Sequence, residues 1–240
     1  MKSTLDSPST HLSTGVSQPA KGGATERVVA SLREAIVTLE LAPGAVLDKV
    51  ELTRRFGVSR FPVAEALNRL KAEGLVDIRP QSGSTVSLIR LADARENMFL
   101  RRALEAEAVA LHAARRPAPL LAELARSMRY QKAALDADDR PGFHRLDLDF
   151  HDILVSAVGY RRVRATVESA RLALDRVRRL LITPRRHVLT YAEHVVIVAA
   201  IEAGDTVAAR TAMAAHLDSV MVELEAFSRE NPQVFADGGA

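Results

Sequence analysis

The first third of the chain shows helical patterns separated by short breaks. Apolar residues between Val28 and Leu39 recur at the spacing of an amphipathic helix, which Pro43-Gly44 ends. A short helix is predicted from about Lys49 to Phe56, where a glycine stops it. Ser59 is a candidate N-cap for a third amphipathic helix, which runs from Arg60 to Glu73.

Two short strands are predicted next, at Leu75–Arg79 and Thr85–Leu88. The Pro80-Gln81-Ser82-Gly83 stretch supplies the turn between them. Three helices followed by a hairpin predict a winged helix-turn-helix over residues 24–90.

From Leu91 onward the pattern is helical throughout, and proline and glycine residues divide it. About six helices are predicted, at 92–115, 119–135, 142–158, 161–183, 186–203 and 205–229. Short connections make successive helices antiparallel neighbours, which indicates a bundle over 91–230. The predicted fold class is therefore mainly α, with an N-terminal winged helix-turn-helix and a C-terminal antiparallel α-helical bundle.

The two ends and the composition add limits to this organisation. Residues 1–23 are polar and are expected to form a disordered tail, and 231–240 a flexible one. The absence of Cys excludes disulfides, thiol catalysis and Cys-based metal sites, and it fits a reducing compartment. The longest apolar run, 195–201, is shorter than the roughly 20 residues of a membrane span. A cytoplasmic protein with no membrane partner is expected.

The net charge of +3 is informative through its position along the chain. Residues 21–90 contain 11 Lys and Arg against 8 Asp and Glu, whereas residues 91–240 contain 21 of each class. The positive surplus therefore coincides with the predicted helix-turn-helix, the end that would meet a polyanion.

In a helix-turn-helix, the second helix enters the major groove of DNA. Ser59 and Arg60 lie at the start of that helix, where side chains can reach base edges, and Lys49 and Arg54 are placed for phosphate contacts. The alternative is a helical hairpin with solvated arginines. The adjoining hairpin and the local positive charge favour DNA binding.

The segment APGAVLDKVELTRRFGVSRFPVAEALNRLKAEGLV, followed by SGSTV, resembles the DNA-binding domain of GntR-type bacterial transcription regulators. The resemblance implies double-stranded operator DNA as partner, with the hairpin tip near Gly83 at the minor groove. One position departs from the family pattern: Ala64 stands where members usually carry a base-contacting Arg. This departure shifts the expected readout towards Arg60, Asn68 and DNA shape.

Spacing alone allows four metal-ligating side chains to converge in the bundle. Asp147 and His151 are four residues apart, so they share one helix face. His194 lies ten residues before Gly204 and His216 twelve residues after it, which places both at about 15–18 Å from one turn. One carboxylate and three imidazoles suit Zn, Ni, Mn, Co or Fe. Taken singly, each His is more often a surface or hydrogen-bonded core residue than a metal ligand.

Residues 100–115, 146–159 and 192–217 resemble the helical ligand-binding (FCD) domain of the FadR-like branch of GntR regulators. The resemblance implies that Asp147, His151, His194 and His216 are the ligands of a divalent metal, with zinc as the first choice. Asp149 and His144 are the nearest alternatives to this assignment.

The same resemblance implies a small carboxylate effector bound beside the metal. Arg101 is the first candidate to hold it bidentately, and Arg178 is the second. The alternative for Arg101 is an ion pair with Glu105, four residues further along the helix.

These patterns predict a homodimeric, ligand-responsive transcription regulator that is not an enzyme. Two subunits would read the half-sites of a pseudo-palindromic operator. One alternative is a DNA-binding dimer whose metal site is empty or purely structural. The other is a metalloenzyme acting on a carboxylate, for which only Asp149 and His144 are near enough to serve as a general base.

Overall fold

The structure, a computed structural model, describes residues 23–79, 83–181 and 183–237. Its helices are α1 (Ala24–Val37), α2 (Lys49–Phe56), α3 (Arg60–Ala72), α4 (Leu91–Arg115), α5 (Ala118–Asp136), α6 (Arg140–Ser156), α7 (Arg161–Ala173), α8 (Asp175–Leu180), α9 (Pro184–Ala203) and α10 (Thr206–Glu230). Its strands are β1 (Val76–Arg79) and β2 (Gly83–Val86). The predicted disordered tail over 1–23 lies outside the described residues except for Gly23.

The N-terminal module packs α3 against α1 and against the hairpin. Val63, Leu67 and Leu70 form the buried stripe of α3 and join an apolar cluster with residues of α1 and both strands. Their spacing of three and four residues puts all three side chains on one helix face. The opposite face of α3 is left open to solvent.

The hairpin follows the prediction with a small shift. The two strands pair antiparallel, with Val76 opposite Val86 and Arg79 opposite Gly83. The second strand thus begins two residues before the predicted Thr85, because Gly83 itself joins the ladder. Gly83 has a φ of 90°, a left-handed conformation that favours glycine. Of the turn predicted at residues 80–83, residues 80–82 lie outside the described residues.

The start of α3 differs in one detail from the prediction. Ser59 occupies the N-cap position with extended backbone angles, but its hydroxyl makes no capping hydrogen bond. By contrast, the Asp48 carboxylate accepts hydrogen bonds from the backbone N–H groups of Val50 and Glu51 at the start of α2. The exposed hydroxyl of Ser59 therefore stays available to a ligand at the first turn of α3.

The helices after residue 90 form the predicted bundle. Helix α10 packs along α4 and α9, and α5 packs along α6. Phe150, Leu154, Ile197 and Ile201 are among its completely buried apolar side chains. The predicted fold class, a winged helix-turn-helix followed by a helical bundle, is confirmed.

The helix predicted over 161–183 is in fact two helices, α7 and α8, which meet at Leu174. Leu174 donates its N–H to the carbonyl of Arg171, three residues back, so the backbone tightens there. The cause is tertiary: Leu174 and Val177 are buried in the bundle core, while Arg176 between them donates to the Ser87 carbonyl at 2.6 Å.

Residues 231–237 differ from the flexible tail that the sequence suggested. Phe235 is buried and pairs with Ile89, which precedes α4. The Asp237 carboxylate accepts hydrogen bonds from the N–H groups of Leu91 and Ala92 at 3.1 and 3.3 Å. It thereby caps α4, a partner that lies too far away in sequence for local patterns to reveal. Residues 238–240 lie outside the described chain.

The buried apolar residues form two clusters, one between Val28 and Val86 and one between Ile89 and Phe235. The domain boundary near residue 90 stays a prediction. Within the described ranges, the helices include none that is long and apolar enough to cross a membrane.

Replacement of Phe235 tests the contribution of the C-terminal segment. We expect Phe235→Ala to lower the free energy of unfolding by about 3 kcal/mol, because a buried aromatic ring is lost and a cavity remains. Val222→Ala, at an exposed position of α10, serves as control and should change it by less than about 0.5 kcal/mol. Urea titration followed by circular dichroism measures both. Equal stability of the two variants would contradict an ordered role for Phe235.

Candidate metal centre

Four buried side chains converge inside the bundle: Asp147 and His151 from α6, His194 from α9 and His216 from α10. One ligand atom from each lies within 4.8 Å of the others. We call these four residues the Asp/His cluster. The neighbouring alternatives do not join it: Asp149 is exposed, and Nε2 of His144 lies 3.4 Å from Oδ1 of Asp175.

The local sequence explains how the cluster forms. Asp147 and His151 are one turn apart on α6. Gly204, with a φ of 76°, ends α9 and lets α10 return beside it. His194 and His216 then lie side by side, with ring centroids 4.9 Å apart.

In every imidazole of the cluster, Nδ1 points away from the centre and forms a hydrogen bond with an acceptor oxygen. Each Nδ1–H donates one hydrogen bond: His151 to Glu105 (2.5 Å), His194 to Gln131 (2.8 Å) and His216 to Glu193 (2.7 Å). Because carboxylate and amide oxygens only accept, the proton resides on Nδ1 and the lone pair of each Nε2 faces inward. Such outer hydrogen bonds are typical of metal-ligating histidines.

The Nε2 atoms and the Asp147 oxygen that face the centre lie close together, and two of them have no hydrogen-bond donor nearby in the described parts of the chain. Nε2 of His151 lies 3.3 Å from Nε2 of His216, and Nε2 of His194 lies 3.5 Å from Oδ1 of Asp147. Within the described chain, Oδ1 of Asp147 and Nε2 of His194 are buried without a hydrogen-bond partner. Ligands about 2.1 Å from one ion are roughly 3.0–3.4 Å apart, so the His151–His216 separation fits a shared cation and the His194–Asp147 separation lies close to that range.

For His194, His216 and Glu105, the electrostatics favour the protonation states that a metal requires. Burial lowers the pKa of His194 and of His216 well below the usual range, and neighbouring imidazoles lower it further. Burial raises the pKa of Glu105, but Arg101 and His151 outweigh it and hold that pKa well below its usual range. Neutral imidazoles beside ionised carboxylates are the form that binds metals.

Both predicted effector-binding arginines lie at this centre. Arg101 is 2% exposed and donates from Nε to Oε1 of Glu105 at 2.6 Å, so the alternative ion pair does form. Its Nη2 is nevertheless buried without a partner among the described residues. Arg178 forms an ion pair with Oδ2 of Asp147, and burial together with Arg101 lowers its pKa to about 9.

A small cavity of about 50 Å³ lies next to the Asp/His cluster. Its polar wall includes Arg101, Asp147, Arg178 and His216. Its apolar wall comprises Phe143, Leu181 and Val220. Since one water needs about 10–15 Å³ by this measure, the cavity has room for a compact ligand.

The predicted DNA-binding residues lie on the exposed surface of the helix-turn-helix. Lys49 and Arg54 are on α2, and Arg60 and Asn68 are on the open side of α3. Among the described residues, no carboxylate lies within 4 Å of the charged groups of Lys49, Arg54 or Arg60. Arg69 differs, because it pairs with Glu65 and Glu26.

Sequence reasoning missed Gln131, Glu193 and Arg186. Gln131 is completely buried on the stripe of α5 that also carries Leu120, Leu124 and Ser127, so a large polar residue on a partly apolar stripe was the available signal. Glu193 accepts from His216 and from Arg186 at once. The local sequence did not indicate this pair of hydrogen bonds, because His216 lies on α10 whereas Arg186 and Glu193 lie on α9.

Comparison with known families yields two matches. Residues 24–86 match the family described as "Bacterial regulatory proteins, gntR family", and residues 96–219 match the "FCD domain".

Full-length relatives agree with these matches. An "HTH-type transcriptional regulator in unstable DNA locus" from Streptomyces ambofaciens is 39% identical, covering 91% of this chain and 93% of the relative. The "HTH-type transcriptional repressor RspR" of Escherichia coli K12 is 31% identical, covering 88% and 93%. A solved structure of E. coli McbR/YncC shares the fold, with a TM-score of 0.64 and 22% identity over 88% of this chain and 100% of that one.

The buried Glu105 carboxylate provides a test of the geometry. We expect Glu105→Ala to lower the free energy of unfolding by about 3–5 kcal/mol, because Arg101 would remain buried without its counter-charge. The matched control is Glu107→Ala, which removes an exposed ion pair with Arg210 and should cost less than about 1 kcal/mol. Denaturant unfolding distinguishes them, and similar losses in both variants would argue against a buried ion pair.

Proposed function

Since this chain belongs to the gntR family of bacterial regulatory proteins and is a DNA-binding transcription regulator with an FCD domain, we propose that it senses a small carboxylic acid. In this proposal the Asp/His cluster holds a divalent metal ion, the acid binds beside it, and operator binding depends on that acid. The observation that carries the proposal is the convergence of four buried ligand atoms within 4.8 Å.

The donor set narrows the choice of metal. Three imidazole nitrogens and one carboxylate oxygen suit zinc first, and also nickel, manganese, cobalt or iron. The ligands are the Nε2 atoms of the three histidines and an oxygen of Asp147, while Glu105, Gln131 and Glu193 orient the rings. When bound, a divalent ion supplies an open Lewis-acid position for one oxygen of the acid.

The cavity beside the cluster supports a carboxylate as the effector. The free Nη2 of Arg101 faces buried space, and a carboxylate oxygen is the partner that a buried guanidinium lacks. Arg178 contributes a second positive charge to the same wall. Phe143 and Leu181 would contact a short carbon chain, so we propose an acid of only a few carbons.

Helix α8 offers a route from the cavity to the DNA-binding module. Arg178 on this helix contacts Asp147, and Arg176, two residues earlier, donates to the Ser87 carbonyl just after β2. An acid that draws Arg178 away from Asp147 would move α8 and change the Arg176 contact. The effector would thereby favour one placement of the helix-turn-helix, which suffices to shift a binding equilibrium.

For the DNA-bound state we propose a cytoplasmic homodimer on a pseudo-palindromic operator. Arg60 and Asn68 would reach base edges from α3, and Lys49 and Arg54 would contact phosphates. Exposed Val188, Val195 and Val196 give α9 an apolar surface that a second subunit could cover. The relatives named above are transcriptional regulators, so they lend no support to the metalloenzyme alternative.

Metal analysis tests the first part of the proposal. We expect the wild-type chain, stripped with a chelator and reloaded with zinc, to retain about one ion per chain, and His194→Ala to lose most of it. His187→Ala, outside the cluster, is the control and should retain the metal. Elemental analysis after dialysis provides the readout. A wild-type chain that retains none of zinc, nickel, manganese, cobalt or iron, when each is supplied in turn, would contradict the proposal.

Mobility shifts on the upstream region of the gene test the second part. We expect one small carboxylic acid to change the apparent affinity of the metal-loaded wild type about 5–150-fold, the usual range of allosteric coupling. Arg178→Gln should bind the same DNA without responding to the acid. Arg179→Gln, which loses only the pair with Asp175, should respond as the wild type does. If no acid in a broad panel alters wild-type binding, the sensing role is wrong.

A further inference from the structure

The open face of α3 carries an aromatic ring that the fold does not use. Phe61, in the first turn of the helix, is 75% exposed, although Val63 two residues later is completely buried. Phe61 belongs neither to the apolar cluster of the N-terminal module nor to the residues packed against that cluster. Its ring contributes little to stability and leaves a large apolar surface in water.

The neighbours of Phe61 indicate what would cover it. Ala64 follows at a spacing of three residues and Asn68 four residues after that, so all three share one face of α3. Arg60, which directly precedes Phe61 in the chain, is also exposed. An apolar strip of Phe61 and Ala64 is thus flanked by a cation and an amide, the side chains that most often read guanine and adenine.

The occupant that fits this face is a DNA base pair rather than a protein surface. The chain is a DNA-binding regulator, and α3 is the second helix of its helix-turn-helix. Exposed Lys49, Arg54 and Arg60 give the α2–α3 surface the positive charge that a polyanion requires. The major groove presents one apolar feature to a protein, the C5-methyl group of thymine.

We propose that Phe61, supported by Ala64, selects a thymine in each operator half-site by packing on its C5-methyl group. The proposal rests on the proposed placement of α3 in the major groove. A ring at this position also acts against other bases, because it would cover their polar edges without supplying a hydrogen bond. Phe61 is therefore a specificity-determining residue, whereas Arg60 and Asn68 supply the polar readout.

The test begins with the full-length wild-type chain and a random duplex library, from which its preferred half-site is selected. Each thymine of that site is then replaced by deoxyuridine, which removes only the methyl group and preserves base pairing. We expect one position per half-site at which deoxyuridine weakens wild-type binding about fourfold, the effect of one buried methyl. Phe61→Ala should bind the thymine and deoxyuridine duplexes equally, within about twofold.

Two further variants distinguish a failure of thymine selection by Phe61 from a failure of the proposed DNA binding by α3. Phe99→Ala removes another exposed ring, 70% exposed on α4, and should keep the wild-type preference for thymine. Arg60→Ala should weaken binding to the selected site whichever base is present.

If the wild type selects no sequence at all, the proposed function fails and the inference fails with it. If the wild type binds its site and Arg60→Ala weakens binding, the inference alone is overturned by either of two results. One is that no deoxyuridine has an effect, and the other is that the deoxyuridine effect persists in Phe61→Ala.

Discussion

The ion pair between Arg101 and Glu105, with the onward hydrogen bond from His151, lies completely buried in the helical bundle. A carboxylate at that depth costs several kcal/mol unless it is paired and hydrogen-bonded, so Glu105 requires both partners. Satisfying Glu105 fixes the proton of His151 on Nδ1 and turns its Nε2 towards Asp147. The same requirement recurs at Gln131 and Glu193, which fix the other two imidazoles. The Asp/His cluster is thus a consequence of how buried polar groups around it find partners.

A short stretch of chain between the hairpin and α4 is one of the places where the structure joins this centre to the N-terminal module. Ser87 accepts a hydrogen bond from Arg176 of α8, and Ile89 pairs with Phe235 of the C-terminal segment. The residues that connect the hairpin to α4 are therefore held from two sides. Arg178, which contacts Asp147, and Arg176, which contacts Ser87, lie on the same six-residue helix. A movement of Arg178 at the cavity can therefore be transmitted through α8 to the residues between the hairpin and α4.

The exposed face of α3 combines apolar and polar side chains. The resemblance implies a base-contacting Arg where Ala64 stands, and Phe61 presents an exposed ring one turn away. Loss of a bidentate guanine contact removes roughly 1–3 kcal/mol of discrimination, which other contacts must supply. An apolar contact to thymine is a different kind of discrimination, since it depends on a methyl group and on the exclusion of polar edges.

Periodicity and breakers along the chain predicted the fold class, the helix-turn-helix and most helix bounds, because those features depend on residues a few positions apart. Local spacing allowed Asp147, His151, His194 and His216 to converge, because helical rise and one glycine turn place His194 and His216 at similar heights. The choice of these four as the ligands came from the resemblance to the FCD domain. The break at Leu174, the cap that Asp237 gives to α4, and the acceptors Gln131 and Glu193 could not be predicted in this way. Each depends on which distant residue is packed against it. The sequence by itself therefore determined the elements and the candidate ligands. Only the tertiary structure decided which buried groups pair. A buried polar atom without a hydrogen-bond partner is energetically costly, and here the partner comes from another helix.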